Sequence, residues 1–234
     1  MNYSLQNKVA VVTGASSGLG EAIARTLADN GAIVYLAARS MDRLSRIAGE
    51  IKQAGGRADP IYMNVTRAPS VRTVGEHVHQ HHGRIDIWVN NAGGGKKADL
   101  EGTTPELLEE MMALNYYGLV NGTREAERHM RKGGGDIVQI LSTSAYTPRP
   151  DEAAYVAAKA AADIFSKSIQ KELMSRDIRV ILIYPGGMKT EFAQKAGLTP
   201  PPNAIDPNVV AGTVLYALSL PRNVIFDGRL LRSG

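Results

Sequence analysis

The sequence contains no cysteine among its 234 residues. Disulfide bonds and thiolate chemistry are therefore excluded, and a reducing compartment suits the chain. No run of about 18 apolar residues occurs, so a membrane-spanning helix is not expected. The polar N-terminus, residues 1–8, also lacks the apolar core of a signal peptide. The net charge of +4 comes from scattered Lys and Arg without a block of like charges. We predict a cytoplasmic protein that has neither nucleic acid nor a membrane as a partner.

The sequence does contain a regular alternation of two kinds of segment. Short apolar runs recur at 9–12, 33–36, 61–63, 85–89, 137–141, 180–184 and 224–226. Most are continuous rather than alternating, which is typical of strands buried on both faces of a parallel sheet. Segments with helical spacing lie between them, at 19–30, 42–54, 71–82, 105–130, 152–175 and 207–220. We predict a single doubly wound, Rossmann-like α/β domain with a seven-stranded parallel sheet and helices on both faces.

A glycine-rich segment, T-G-A-S-S-G-L-G at residues 13–20, lies between the first predicted strand and the first predicted helix. Glycines allow a tight turn and a close approach of the backbone to a pyrophosphate, and the helix N-terminus offers free N–H groups. The alternative is an ordinary glycine-rich turn. We predict a nucleotide site, with cofactor contacts from Gly14, Ser16, Ser17, Gly18, Leu19 and Gly20.

Further motifs make the sequence resemble the short-chain dehydrogenase/reductase family over its whole length. These motifs are T-G-x-x-x-G-x-G at 13–20, N-N-A-G at 90–93, Asn115, Ser142, Y-x-x-x-K at 155–159, and Pro185-Gly186 with Thr190. The resemblance implies one domain over 1–234, in which about 1–115 binds the cofactor and about 116–234 carries catalysis and the substrate. It also implies a homodimer or homotetramer. Further cofactor contacts are expected from Asn64, Val65, Asn91, Ala92, Gly93, Tyr155, Lys159, Pro185, Gly186, Met188 and Thr190.

The proposed catalytic set rests on Tyr155 and Lys159, which share one face of a predicted helix because they are four residues apart. A lysine cation about 4 Å from a phenol contributes roughly 4 kcal/mol, or about three pKa units. We therefore expect Lys159 to lower the pKa of Tyr155. The alternative is that the tyrosine packs while the lysine reaches solvent. By resemblance, Ser142 orients the substrate oxygen, with Ser144 as the substitute, and Asn115 holds a water linked to Lys159.

The end of the second predicted strand indicates which cofactor is used. An acidic residue there would accept hydrogen bonds from the ribose hydroxyls of NAD, but Ala38 holds that position and Arg39 follows. An arginine fork suits a phosphate dianion, so we predict NADP(H), with a solvated Arg39 as the alternative. At Asn64, where the family commonly has Asp, the amide oxygen is expected to accept from the adenine.

Together these features predict an NADP(H)-dependent oxidoreductase. It would transfer a hydride between nicotinamide and the carbonyl/alcohol carbon of a small substrate: a ketone, an aldehyde, a hydroxy acid or a serine-like compound. A 3-oxoacyl-carrier-protein reductase is the alternative, although residues 227–234 lack the Gly-Gly segment usual in that branch. A catalytically silent NADP-binding sensor is the alternative of another class, but such proteins tend to lose the tyrosine or the lysine.

The substrate itself is expected to depend on the residues around Lys96, Tyr146 and Arg149 and on the segment 186–206. That segment is rich in Gly and Pro and is predicted to be a loop at the ligand-binding end of the sheet. No metal site is predicted. His77 and His81 are four apart, but we interpret them as part of a solvated helix end.

Overall fold

The computed structural model of the protein describes residues 4–130, 133–199 and 202–232. Pro200 and Pro201, part of the predicted loop, lie outside these ranges. Within them, seven strands form one parallel sheet in the order β3-β2-β1-β4-β5-β6-β7. The strands are β1 (Val9–Thr13), β2 (Ile33–Ala38), β3 (Arg57–Tyr62), β4 (Ile87–Asn90), β5 (Gly135–Ile140), β6 (Ile178–Pro185) and β7 (Asp227–Leu230).

Helices flank both faces of this sheet. They are α1 (Gly18–Asp29), α2 (Met41–Gln53), α3 (Ala68–His82), α4 (Pro105–Met112), α5 (Gly118–Met130), α6 (Ala153–Met174), α7 (Glu191–Lys195) and α8 (Pro207–Ser219). Within the described ranges, none of these helices is both long enough and apolar enough to cross a bilayer.

The core consists of two apolar layers, one on each face of the sheet. Leu27 of α1, Leu44 of α2 and Val214 of α8 belong to the first layer. The second contains side chains of α3, α5 and α6, among them Leu119 and Leu173. Strands β1 and β6 are buried along their whole length, which explains their continuous apolar runs. The predicted doubly wound fold is therefore confirmed.

The strand order determines where a ligand site is expected in the sheet. The chain moves outward from β1 to β3 and then returns to lay β4 against the other side of β1. Parallel sheets of this kind bind ligands at such a switch point, outside the carboxyl ends of the strands. The glycine-rich segment follows β1 and the N-N-A-G motif ends β4, so the order brings both to this point.

The two edge strands were predicted at the wrong positions. Strand β3 begins four residues before the predicted run 61–63, and β7 lies beyond the predicted run 224–226. An edge strand has one neighbour and needs less apolar surface, so backbone pairing rather than hydrophobicity sets its limits. Pro60 lies within β3, where an edge position tolerates the missing N–H. Val224 and Ile225 are exposed.

Two other predictions differ from the structure. The single helix predicted over 105–130 is interrupted by a π-helical turn, Ala113–Tyr117, between α4 and α5. Such turns are frequent at functional sites. The predicted loop 186–206 contains the short helix α7, which begins with Thr190 accepting a hydrogen bond from the Phe192 N–H at 3.3 Å.

Candidate active site

The glycine-rich segment forms a tight turn against the end of β4. Gly14 has a φ of +68°, and a Cβ there would lie 2.8 Å from the Ala92 Cα. Only glycine combines this backbone conformation with so close an approach. Ser17 precedes α1 with an extended backbone and does not cap the helix with its side chain. The first N–H groups of α1 are therefore available to an anion.

The N-N-A-G motif holds this turn in place. The Thr13 hydroxyl accepts hydrogen bonds from the Asn91 and Ala92 N–H groups at 2.9 and 3.0 Å. It donates to the Val89 carbonyl at 3.1 Å. The Asn91 side chain donates to the Thr13 carbonyl at 2.9 Å. Asn91 thus supports the glycine-rich turn, a role that the sequence analysis did not predict.

A cavity of about 200 Å³ extends from this turn to α6. It is lined by most of the predicted cofactor and catalytic residues: Gly14, Ser17, Gly18, Leu19, Gly20, Asn91, Ala92, Gly93, Asn115, Tyr155, Lys159, Met188 and Thr190. A second cavity of about 90 Å³ adjoins it. The predicted residues that line the second cavity are Ser142, Ser144, Arg149, Tyr155, Pro185, Gly186, Met188 and Thr190.

Four predicted cofactor residues lie outside both cavities: Ser16, Arg39, Asn64 and Val65. Arg39 is exposed at the end of β2. The Asn64 amide oxygen already accepts from the Thr66 hydroxyl at 2.9 Å, so it is engaged in its own turn. Val65 is buried, and its carbonyl accepts from Asn121 at 2.9 Å. Cofactor contacts from these residues stay predictions.

Tyr155 lines both cavities and lies at their junction. The Ser142 hydroxyl donates a hydrogen bond to its phenol oxygen. The Lys159 ammonium lies 6.0 Å from the tyrosine ring centroid and donates to the Ile140 carbonyl at 3.1 Å. All three side chains are buried. A hydroxyl, a phenol and an amine therefore converge where the cavities meet.

The expected lowering of the tyrosine pKa by Lys159 is wrong for this structure. Burial is the largest influence and raises the pKa of Tyr155 to about 12, because it disfavours the phenolate. The hydrogen bond from Ser142 opposes this effect, and the charge of Glu152 adds to it. Burial also lowers the pKa of Lys159 to about 8. The charge of the lysine by itself would lower the tyrosine pKa, but the removal of the phenol from water outweighs it.

Asn115 lies in the π-helical turn between α4 and α5. Its side-chain amide donates to the Gly94 and Met111 carbonyls at 2.9 and 3.1 Å and its oxygen accepts from the Gly94 N–H at 3.2 Å. It is fully buried. Asn115 therefore holds the loop that follows β4 in position near Lys159. The water that Asn115 was expected to bind stays a prediction.

Residues of α7 complete the site and were not predicted. Phe192 packs on Tyr155 with ring centroids 5.6 Å apart. Glu191 accepts a hydrogen bond from Arg43 of α2 at 2.9 Å and pairs with Lys195 at 2.6 Å. The hydrogen bond from Lys195, followed by that from Arg43, lowers the pKa of Glu191 to about 2. This ionised carboxylate ties α7 to α2 at the rim of the larger cavity.

The residues expected to choose the substrate are placed differently. Arg149 lines the smaller cavity, but Tyr146 and Lys96 line neither cavity. The Tyr146 ring instead lies between Arg229, at 4.0 Å, and Lys167, at 4.6 Å. Glu152, which was not predicted as a site residue, lines the smaller cavity and is buried. Its position three residues before Tyr155 was the available signal.

The fold and this site define a dinucleotide-type α/β protein with a Ser–Tyr–Lys group at the switch point of its sheet. The sequence profile of short chain dehydrogenases matches residues 8–200. The chain therefore belongs to the short-chain dehydrogenase/reductase family, and it is an oxidoreductase of that family.

Known proteins are similar over most of their length. An uncharacterized oxidoreductase of Methylorubrum extorquens is 34% identical over 228 residues, which is 92% of each chain. A 3-oxoacyl-[acyl-carrier-protein] reductase of Thermotoga maritima is 34% identical and covers 82% of this chain and 78% of its own. The solved alcohol dehydrogenase of Thermococcus sibiricus, complexed with 5-hydroxy-NADP, is 34% identical with a TM-score of 0.88, covering 97% of each chain.

Proposed function

We propose that the protein reversibly reduces the carbonyl group of a small substrate with NADPH. The observation that carries the proposal is the position of Tyr155, whose phenol lies where a cavity suited to a cofactor meets a smaller one. About 1–115 would provide most of the cofactor contacts, and about 116–234 the catalytic and substrate contacts.

The residues of the larger cavity suit a nicotinamide dinucleotide. The uncapped N-terminus of α1 suits a pyrophosphate. Gly93 leaves free a space that a Cβ would fill, 2.9 Å from the Asn115 side-chain oxygen and 3.6 Å from the Lys159 amine. Lys159 would bind the ribose hydroxyls, and Met188 and Thr190, which line the same cavity, would bind the carboxamide. When bound, the cofactor supplies the hydride that reduces the carbonyl carbon and is itself oxidised.

Tyr155 is suited to act as the acid in this reaction. With a pKa of about 12 its phenol is protonated at neutral pH and donates its proton to the carbonyl oxygen. Ser142, which donates to the phenol in the free protein, would turn its single hydroxyl proton to the same carbonyl oxygen as charge builds on it. The Lys159 cation stabilises the phenolate that remains, because an opposite charge nearby favours the ionised form.

The preference for NADPH is supported by the end of β2. Ala38 provides no acidic acceptor there, and Arg39 is exposed and forms no ion pair with a described residue. A charge-assisted contact to the 2′-phosphate contributes about 1.5–3 kcal/mol. This corresponds to a roughly 10- to 150-fold preference. The solved relative complexed with an NADP derivative agrees with this proposal.

The test is to measure the oxidation of NADPH and of NADH with a panel of small ketones and aldehydes. We expect turnover with several members and a kcat/KM ratio in favour of NADPH in the range above. Binding of NADPH without turnover of any carbonyl would instead indicate the silent sensor. Equal use of both cofactors would indicate that Arg39 is a solvated surface residue that does not contact the 2′-phosphate.

The carrier-protein reductase is a second candidate, because one relative of 34% identity has that activity in its name. The two candidates differ in the substrate that they take. Acetoacetyl carrier protein and ethyl acetoacetate share the reacting group, so comparing kcat/KM for the two separates a carrier-dependent enzyme from one for small substrates. The small volume of the second cavity leads us to expect no gain from the carrier.

We further propose a cytoplasmic homodimer or homotetramer. Large apolar side chains on the outer faces of the helical layer support the assembly: Tyr117 is 54% exposed and Ile164 of α6 is 66% exposed. Such side chains suit burial between subunits. Light scattering after size exclusion checks the assembly, and a monomeric mass would refute it.

A further inference from the structure

Glu152 is an acidic side chain of the smaller cavity that has no partner. It is 6% exposed and immediately precedes α6, three residues before Tyr155. It does not cap the helix with its side chain, and its carboxylate forms no hydrogen bond or ion pair with any described residue. Only the cavity itself is left to satisfy the carboxylate oxygens.

A largely buried carboxylate without a protein partner is unfavourable, because it keeps only the water that the cavity admits. The N-terminus of α6 offsets a part of this cost through its dipole. Arg149 lines the same cavity but is exposed and does not pair with Glu152. The neighbouring Asp151 pairs with Lys97 at 3.5 Å, so that cation is already engaged. No described side chain therefore forms an ion pair with Glu152, although the charge of Arg149 also acts on the Tyr155 phenol, in the opposite direction.

The rest of the cavity has two different kinds of wall. Leu141, Met188, Phe192 and Ala193 contribute apolar surface, whereas Ser142 and Tyr155 form the polar end where the carbonyl oxygen would bind. Glu152 provides a second polar point. Its charge acts on the Tyr155 phenol, which lines the same cavity. At about 90 Å³ the cavity has less than half the volume of the one proposed for the cofactor, at about 200 Å³.

We propose that Glu152 determines substrate specificity by accepting a hydrogen bond from a hydroxyl or ammonium group on the carbon next to the reacting carbonyl. The preferred substrates are then small α-hydroxy or α-amino ketones and the corresponding diols or amino alcohols. A carboxylate at that carbon would be repelled. This proposal rests on the proposed carbonyl reduction and adds the chemical class of the substrate.

Three ketones of nearly equal size test the proposal: butanone, hydroxyacetone and aminoacetone. In Glu152→Leu we expect kcat/KM to fall roughly 10- to 150-fold for the hydroxy and amino ketones, as for the loss of a hydrogen bond to a charged group. The lost charge also acts on the Tyr155 phenol, an effect that all three ketones share; butanone measures that effect and should fall far less than the other two. Glu152→Gln keeps an acceptor oxygen without the charge, so it should retain most activity with hydroxyacetone but not with aminoacetone. Glu110→Gln, exposed on α4, is the matched control.

An equal loss with all three ketones would overturn the proposal, since it would show that Glu152 only supports the structure. So would the absence of any loss. Calorimetry provides a reading that does not need turnover: 1,2-propanediol, 1-amino-2-propanol and 2-butanol are titrated into protein loaded with NADPH or NADH. Tighter binding of the first two, lost in Glu152→Leu, supports the specificity role even if no ketone is reduced. Equal binding of all three refutes it, whereas failure to reduce any carbonyl refutes the proposed function.

Discussion

The Asp163 carboxylate on α6 accepts a hydrogen bond from the Tyr184 hydroxyl on β6 at 2.7 Å. Lys167 donates to the other carboxylate oxygen at 2.9 Å, and the Tyr146 hydroxyl lies 3.3 Å from the first. Asp163 is only 3% exposed and follows the lysine of the Y-x-x-x-K pair by one helical turn. This group joins the segment after Ser142 to the helix that carries the proposed acid.

Asp163→Asn should destabilise the protein, because the amide cannot replace the charge that Lys167 and the two phenols surround. We expect a loss of about 1–3 kcal/mol in the free energy of unfolding, the usual cost of leaving buried polar groups unsatisfied. The lysine is partly exposed, so the larger values for fully buried pairs do not apply. Urea denaturation measures the loss. Glu172→Gln, exposed on the same helix, is the control and should change stability by less than about 0.5 kcal/mol. Equal effects of the two variants would contradict the prediction.

Tyr155→Phe should keep cofactor affinity and lose turnover. The ring still packs on Phe192, and only the proton is missing. General acids and bases contribute typically about 10²–10⁴-fold, which is the expected fall in kcat. Cofactor titration and steady-state kinetics are measured together. Tyr216→Phe removes the hydroxyl of a 52% exposed tyrosine on α8 and should behave as wild type. A Tyr155 variant with more than half of the normal turnover would show that another group is the acid.

Lys159→Met should gain stability relative to wild type as the pH falls, while it impairs activity and cofactor binding. Burial lowers the pKa of Lys159 from 10.5 to about 8, which corresponds to a cost of up to roughly 3 kcal/mol when the amine is charged. Between these pH values the unfolded chain binds more protons than the folded one, so wild-type stability rises with pH across that window. The advantage of Lys159→Met is therefore largest below pH 8 and shrinks towards pH 10.5.

The measurement is chemical denaturation of both proteins at pH 7 and at about pH 9.5, within the window of the shift. Tyr155 titrates higher and in both proteins, so its contribution largely cancels in the difference. Lys171→Met, exposed on α6, is the control and should show no such pH-dependent gain. A stability difference between wild type and Lys159→Met that is the same at both pH values would disprove the assigned shift.

Ala38→Asp combined with Arg39→Leu should reverse the cofactor preference. The new carboxylate accepts hydrogen bonds from the ribose hydroxyls and repels a 2′-phosphate, and the cation that favours the phosphate is gone. The ratio of kcat/KM for NADPH and NADH should therefore pass from above one to below one. Arg72→Leu, which removes an exposed arginine of α3, serves as the control. An unchanged ratio in the double variant would mean that the end of β2 does not contact the cofactor.

Much of the site follows from local sequence. The run that ends at Thr13 forms a central strand because its apolar residues are continuous, and glycines directly after it permit the turn. Tyr155 and Lys159 share one face because helical periodicity is a property of a single segment. The motifs meet because the carboxyl ends of parallel strands lie along one edge of the sheet. These relations need no knowledge of distant contacts.

Other features depended on the tertiary structure. The pKa of Tyr155 rises rather than falls, because burial by other segments outweighs the charge four residues away. The limits of β3 and β7 depend on pairing at the sheet edges, and Asn115 interrupts its helix while its side chain bonds to Gly94. In the sequence, Glu152 does not differ from other acidic residues that precede a helix. Its position in the wall of the cavity depends on the tertiary fold. The sequence by itself determined the fold and the catalytic motif. The charge states and hydrogen-bond partners of the catalytic groups were decided only by the tertiary structure, because desolvation and packing are sums over residues that lie far apart in the chain.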